Sequence, residues 1–297
     1  MLFERQRLLL TVLDAVGEPV SHTDFQKLLF LYTRECEATP TYEFVPYRFG
    51  AFSFTSYADK RKLIAEELLE EDDQNWRLTD VGRAAARKQA VEPLRVAGFC
   101  RRHWNLRGNA LIFEQYRRHP YYATRSEILD KLQLGPEMLT RIAAAKPKQQ
   151  PAGLVTIGYE GRSLENYLNE LLRAGVTLLC DVRRNPLSRK YGFSKGTLSK
   201  ACEGVGIRYE HLPELGIASE QRQELDTRAD YDALFAEYER RSLPQQRAAL
   251  EKIRGWVAVG ERVALTCFER LPEQCHRHRV AEALEHMSGQ KLRAHHL

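Results

Sequence analysis

The sequence predicts a Rossmann-like α/β domain with a mainly parallel sheet in its C-terminal half, preceded by a mainly helical, winged-helix-like domain. Three observations carry this expectation. Beyond residue 153, short apolar runs alternate with helical stretches, the pattern of βαβ units that builds a parallel sheet covered on both faces. Before residue 146, helical periodicity dominates, interrupted by one short strand and a turn. Between them, Lys146-Pro147-Lys148-Gln149-Gln150-Pro151-Ala152-Gly153 has the composition of a linker, which divides the chain into 1–145, 146–153 and 154–297.

In the first domain, Glu4–Val16 carries apolar residues at helical spacing, and Gly17-Glu18-Pro19 ends that helix. Ser21 or Thr23 can cap a second helix from Asp24 to about Cys36. An aromatic-rich stretch, Tyr42–Tyr57, precedes a charged helix over Asp59–Glu71. A turn at Asp72-Asp73-Gln74-Asn75, a strand at Trp76-Arg77-Leu78-Thr79 and a helix over Asp80–Lys88 follow. Helices followed by a short strand and a turn suggest a winged helix-turn-helix, although three-helix units also serve as protein-interaction modules, so a protein partner is the alternative for this domain. Glu92–Ala145 reads as two or three more helices, broken at His119-Pro120 and Gly135-Pro136. The segments Phe25-Gln26-Lys27-Leu28-Leu29-Phe30, Tyr47-Arg48-Phe49-Gly50-Ala51-Phe52-Ser53 and Trp76-Arg77-Leu78-Thr79-Asp80-Val81-Gly82 resemble the antitoxin-related domains of the SocA-like, or Panacea, group. That resemblance implies a winged-helix-like or adaptor role.

In the second domain, strand 154–158 leads to helix 163–174, capped by Ser163. Strand 176–180 leads through a basic loop to helix 195–204, and strand 207–211 through a long loop to helix 231–254. Strand 262–267 leads to helix 275–287, and Lys291–His295 forms a last strand.

Composition narrows the function classes. The 297 residues are 43% hydrophobic and 29% charged, with no apolar run near the roughly 20 residues of a membrane helix. Met1-Leu2-Phe3-Glu4-Arg5-Gln6-Arg7 lacks the layout of a secretory signal, so a cytoplasmic protein without a membrane partner is expected. Six scattered cysteines without a Cys-x-x-Cys pair argue for reduced thiols rather than a disulfide framework. The net charge of +5 is unevenly spread. Between Arg95 and Arg125 lie seven arginines and a single acid, Glu114, interleaved with aromatics; from Asp181 to Lys200 lie six basic residues and a single acid. Such local excess is a footprint for polyanions. It points to DNA, with RNA as the alternative, held by Arg101, Arg102, Arg107, Arg117, Arg118 and Lys195. Solvated helix faces, whose arginine stems cover apolar surface, would give the same composition.

Three predicted strands end in reactive side chains: Tyr159-Glu160, Asp181 through Arg189, and Cys267-Phe268-Glu269 with Cys275-His276-Arg277 beyond. In open parallel sheets ligands bind outside the carboxyl ends of the strands, so these ends should converge on one pocket. Asp181 and Arg183 stand two apart and so face the same way in extended backbone, where the carboxylate could orient the arginine toward an anion or simply pin the loop. Ser188 and Arg189 add donors suited to a phosphate, and Lys195 opens a helix. Cys275 at a helix start, beside His276 and Arg277, should have a depressed pKa and could act as a nucleophile or as a plain capping thiol. A metal at Cys267, Cys275, His276 and His278 is set aside because the spacing is poor for zinc; no metal and no cofactor are expected. Glu160 and Glu269 could serve glycosidic-bond hydrolysis, with Tyr159 stacking on a base.

The ordered set Gly158-Tyr159-Glu160, Asp181-Val182-Arg183, Pro186, Ser188-Arg189, Phe193-Ser194, Tyr209, Leu215-Gly216, Cys267, Glu269 and Cys275-His276-Arg277 resembles the domain-of-unknown-function 488 family from Val155 onward. The resemblance implies a Rossmann-like domain whose pocket those positions line, without a settled activity. The Asp-Val-Arg strand end is also similar to that of rhodanese domains, whose loop cysteine has no clear counterpart here. Three functions follow. The first is a DNA base-excising N-glycosidase, with Asp181, Glu269, Glu160 or Cys275 in catalysis and Tyr159, Arg183, Ser188, Arg189, Cys267, His276 and Arg277 on substrate. The second is a cysteine-dependent phosphatase or sulfurtransferase, and the third a DNA-binding regulator that senses a nucleotide-like ligand.

Overall fold

The computed structural model describes residues 1–17, 19–218, 221 and 227–297; Glu18 of the expected helix stop and part of the expected loop after 211 lie outside them. The described residues form two compact units, Met1–Lys146 and Pro147–Leu297.

The first unit contains, in order, α1 (Glu4–Val16), β1 (Val20–Ser21), α2 (His22–Cys36), β2 (Val45–Tyr47), β3 (Gly50–Phe52), α3 (Phe54–Ala65), β4 (Leu69–Glu71), β5 (Asn75–Leu78), α4 (Asp80–Lys88), α5 (Pro93–Arg102), α6 (Gly108–Arg118) and α7 (Pro136–Ala145). β1, β5 and β4 form an antiparallel sheet in that order, and β2 pairs with β3 as a hairpin. Of the two candidate caps for α2, Ser21 serves, its hydroxyl accepting the N–H of Asp24 at 3.0 Å. The expected helix over Asp59–Glu71 is displaced. Ser53 caps it earlier, accepting from Ser56 N at 3.2 Å, and Glu67 turns left-handed at φ 57°, which frees Leu69–Glu71 to pair with β5. Leu8, Leu9, Val12, Phe25, Leu29, Phe30 and Trp76 build the core of this unit.

Lys27 of α2 is sealed inside it at 2% exposure, and its ammonium donates to the carbonyl of Ala51 at 3.0 Å. Burial lowers its pKa to about 7, against a partial counter-pull from Asp24.

The second unit contains β6 (Gly153–Gly158), α8 (Leu164–Arg173), β7 (Leu178–Asp181), α9 (Lys195–Gly204), β8 (Arg208–His211), α10 (Arg228–Glu237), α11 (Arg247–Ala258), β9 (Arg262–Cys267), α12 (His276–Met287) and β10 (Ala294–His296). All five strands are parallel, in the order β10-β6-β9-β7-β8. Connections through α8 and α9 run one way along the sheet, and those through α11 and α12 run back, so right-handed crossovers place the two pairs of helices on opposite faces. Leu178, Cys180, Val263 and Leu265 pack with Leu250, Ile253, Val280 and Leu284 of α11 and α12. On the other face, the Tyr167 hydroxyl of α8 donates to Thr266 at 2.8 Å. The helix expected over 231–254 is broken instead. A π turn at Tyr238–Ser242 and a 3-10 turn at Leu243–Gln246 intervene, because Pro244 supplies no N–H to a continuous helix. No helix among the described residues is long and apolar enough to cross a membrane.

Lys27 makes the stability of the first unit pH-dependent. The folded form sheds this proton near pH 7, whereas the unfolded chain holds it to about 10.5, so the unfolded state binds more protons across that window. Stability therefore rises with pH from about 7 to about 10, by at most about 1.4 kcal/mol per pH unit for this group. Urea denaturation followed across that range should show this rise in the native chain and a flattened dependence in Lys27→Met.

Candidate active site

The carboxyl ends of β6, β7 and β9 meet at one edge of the parallel sheet. β9 lies between β6 and β7, yet its connection leaves toward the opposite face from theirs. A crevice therefore opens around the end of β9, where Cys267, Phe268 and Glu269 emerge.

β7 starts two residues and ends one residue later than expected, so Asp181 is its last residue and pairs with Thr266 on one side and His211 on the other. Its carboxylate is fully buried. One oxygen accepts from the backbone N–H and Nε of Arg183, at 3.1 and 2.8 Å; the other accepts from Nη2 of Arg183 at 2.5 Å and from the Tyr209 hydroxyl at 2.7 Å. These four bonds fill the acceptor sites of the carboxylate. Arg183 also spends Nη1 on the Tyr159 hydroxyl and the Phe193 carbonyl, both at 2.9 Å. Burial alone would lower its pKa, but the bonds and charge of Asp181 raise it above the usual guanidinium range. Burial, then the Asp181 charge, likewise push the Tyr209 phenol up. The pinning role weighed for this pair is the one its geometry performs.

Tyr159 belongs to the same frame. Its ring is 3% exposed, stacks on Phe193 with centroids 4.3 Å apart, and carries the Arg183 guanidinium 5.1 Å from its centre. Phe268 and Tyr231, by contrast, face solvent. With Glu160, Glu269, Arg228 and Glu273 they line a cleft of about 500 Å³. Glu160 accepts the backbone N–H of Arg270 at 2.9 Å, which links the two strand-end segments. Gly158 makes this possible: a Cβ there would sit 1.8 Å from the carbonyl oxygen of Glu269. Arg277 is buried and donates to the carbonyls of Glu269 and Arg270, at 2.5 and 2.9 Å, so it holds this segment rather than facing the cleft.

Beneath the cleft lie the thiols. Cys275 is the residue before α12, not its first turn. Burial, followed by its neighbour Cys267, pushes its pKa well up, the reverse of the depressed value expected from the helix terminus. Cys267 Sγ lies 3.4 Å from a Glu269 carboxylate oxygen, and His276 Nδ1 lies 3.7 Å from Cys267 Sγ and 3.9 Å from Cys275 Sγ. The other ring nitrogen of His276 bonds the Val182 carbonyl at 2.9 Å.

The basic loop borders the cleft. Ser188 shapes it, exchanging bonds with Ser194, while Arg189 and Lys195 are exposed. Lys190 reaches the Tyr159 carbonyl at 3.1 Å; burial lowers its pKa, and the neighbouring Glu160 charge raises it. In the first unit the arginine cluster meets more acid than the linear count gives. Arg117 and Arg118 both grip Glu114, holding its carboxyl down at about 2. Arg118 and Arg102 also approach Glu35 of α2, at 2.6 and 3.7 Å. Arg107 caps the backbone carbonyls of His103 and Leu106, and Arg101 is exposed.

The structure thus brings together Glu160, Glu269, Cys267, Cys275 and His276 around the end of β9, and Tyr159, Asp181, Arg183 and Tyr209 in the adjoining frame. Phe268, Tyr231, Arg228 and Glu273 are cleft residues to which the sequence reading gave no role. Phe268 stands inside the Cys-Phe-Glu run that drew attention, whereas Tyr231 carries no local signal. Removing Asp181 would leave the Arg183 guanidinium buried without its counter-charge, at a cost of about 3–5 kcal/mol. Urea denaturation should show that loss in Asp181→Ala, and the apolar double variant Asp181→Leu, Arg183→Met should recover most of it. A loss in Asp181→Ala below about 1 kcal/mol would contradict the pinning role.

No curated protein and no solved structure matches the chain. A family model does: residues 163–284, spanning the basic loop, the cleft residues of α10 and β9, and the Cys-His pair, match the family described as Domain of unknown function DUF488.

Proposed function

We propose that the C-terminal unit is a hydrolase that cleaves the glycosidic bond of a nucleotide in DNA and releases its base. One observation carries this reading: Glu160 and Glu269, from the ends of neighbouring parallel strands, line the same cleft as the solvent-facing rings of Phe268 and Tyr231. Breaking an N-glycosidic bond passes through an oxocarbenium-like state. One carboxylate stabilises that charge while the other moves the proton of water or of the leaving base. Phe268 and Tyr231 take the stacking role in place of the buried Tyr159. Asp181 and Arg183 keep the frame rigid and leave the carboxylate chemistry to the two glutamates.

Exposed Arg184, Arg189 and Lys195 offer phosphate contacts from the basic loop and the start of α9, Arg184 and Lys195 lying by Pro213 and His211 at the end of β8, and a flipped-out nucleotide is the form in which a base would enter such a cleft. The N-terminal unit then acts as a winged-helix-like module for DNA or a partner protein, with exposed Arg101 of α5 among the arginines that would contact it. Cysteine nucleophilicity is the weaker reading, since both thiols are buried and Cys275 is held protonated.

The test is a panel of duplex and single-stranded oligonucleotides carrying normal and modified bases, scored for abasic sites by alkaline strand scission. Product is expected from at least one substrate, with Glu269→Gln and Glu160→Gln each lowering its rate by about 100-fold or more. Absence of abasic product from every substrate, or full activity in both variants, would overturn the proposal.

A further inference from the structure

We propose that Cys267, Cys275 and His276 bind a single zinc ion beneath the cleft. Their ligand atoms lie within 4.8 Å of one another, and each residue is 1% exposed. A tetrahedral zinc with Zn–S of about 2.3 Å and Zn–N of about 2.0–2.1 Å sets sulfur and nitrogen about 3.6 Å apart. The observed Sγ to Nδ1 distances of 3.7 and 3.9 Å meet that requirement with almost no movement.

The histidine is oriented for the task. Nε2 bonds the Val182 carbonyl, so in the neutral ring Nε2 carries the proton and Nδ1 turns its lone pair toward the sulfurs. A fixed outer bond of this kind is how metal-binding histidines are held. A cation at this point would meet both sulfurs and the Nδ1 lone pair together. Thiolate with imidazole is the donor set that suits zinc.

The linear spacing reads as poor for zinc because Cys275 and His276 are adjacent and the chain offers neither a Cys-x-x-Cys nor a separated His pair here. Here β9 supplies Cys267 while the start of α12 supplies Cys275 and His276, and the fold closes the gap. His278 is not part of the set, its ring lying 3.5 Å from Glu282. Three protein ligands leave a fourth position, on the side where the Glu269 carboxylate stands 3.4 Å from Cys267 Sγ and borders the cleft. The site would clip the 268–274 segment, which carries Phe268 and Glu269, to both the sheet and α12. It stands whatever substrate the cleft takes.

The full-length chain, loaded with Zn²⁺ and then dialysed, is expected to retain one equivalent by elemental analysis. Cobalt loading should give a thiolate-to-cobalt charge-transfer band together with the intense visible bands of tetrahedral coordination. Cys267→Ser, Cys275→Ser and His276→Ala should each lose the retained metal. If those variants fail to fold, the native chain still decides the question: bound cobalt should protect two thiols from a thiol reagent, and a chelator should release them. No retained zinc, a cobalt spectrum without the thiolate band, or unchanged binding in folded variants would overturn the site.

Discussion

A guanidinium buried at the end of a parallel sheet has to be matched on every side, and the way Arg183 is matched organises this edge of the second unit. Its partners come from four places: Asp181 on β7, Tyr159 after β6, Phe193 in the basic loop, and Tyr209 on β8 through the shared carboxylate. Paired buried charges contribute little net stability compared with well-packed apolar groups, while a broken pair is costly. The interaction therefore acts as a selector of geometry. It fixes where three strands and one loop end relative to each other, and so fixes the rim on which reactive groups are mounted.

That rim divides the labour between its two sides. Toward β7 and β8, buried polar groups satisfy one another. Toward β9, the connection leaves for the other face of the sheet, the crevice opens, and carboxylates, rings and thiols have room to meet a ligand. The strand that changes direction is thus also the strand that carries the reactive run Cys267-Phe268-Glu269.

Much of this was readable before any coordinates. Apolar runs bounded by turn residues located the five parallel strands to within about three residues, and Ser163, His119-Pro120 and Gly135-Pro136 marked helix boundaries through local chemistry alone. Local signals failed where long-range pairing decides. Leu69–Glu71 looks helical until β5 is there to bond it, and the β2–β3 hairpin is too short to announce itself. The strand ends that meet at this edge are named in the sequence, but Tyr159 is read there as a ring for stacking on a base, because sequence does not reveal that Phe193, 34 positions on, covers it. Charge counting erred for a related reason. Glu35 lies far from Arg102 and Arg118 along the chain yet neutralises them across two helices.

The close crossing of the 269–270 backbone over the end of β6 rests on a missing methyl group. Since the Glu269 carbonyl occupies the space any Cβ at position 158 would need, that position tolerates one amino acid alone, and the height of the cleft floor is set by it. The surrounding side chains are free to diverge and retune what the crevice accepts, while its depth is inherited unchanged.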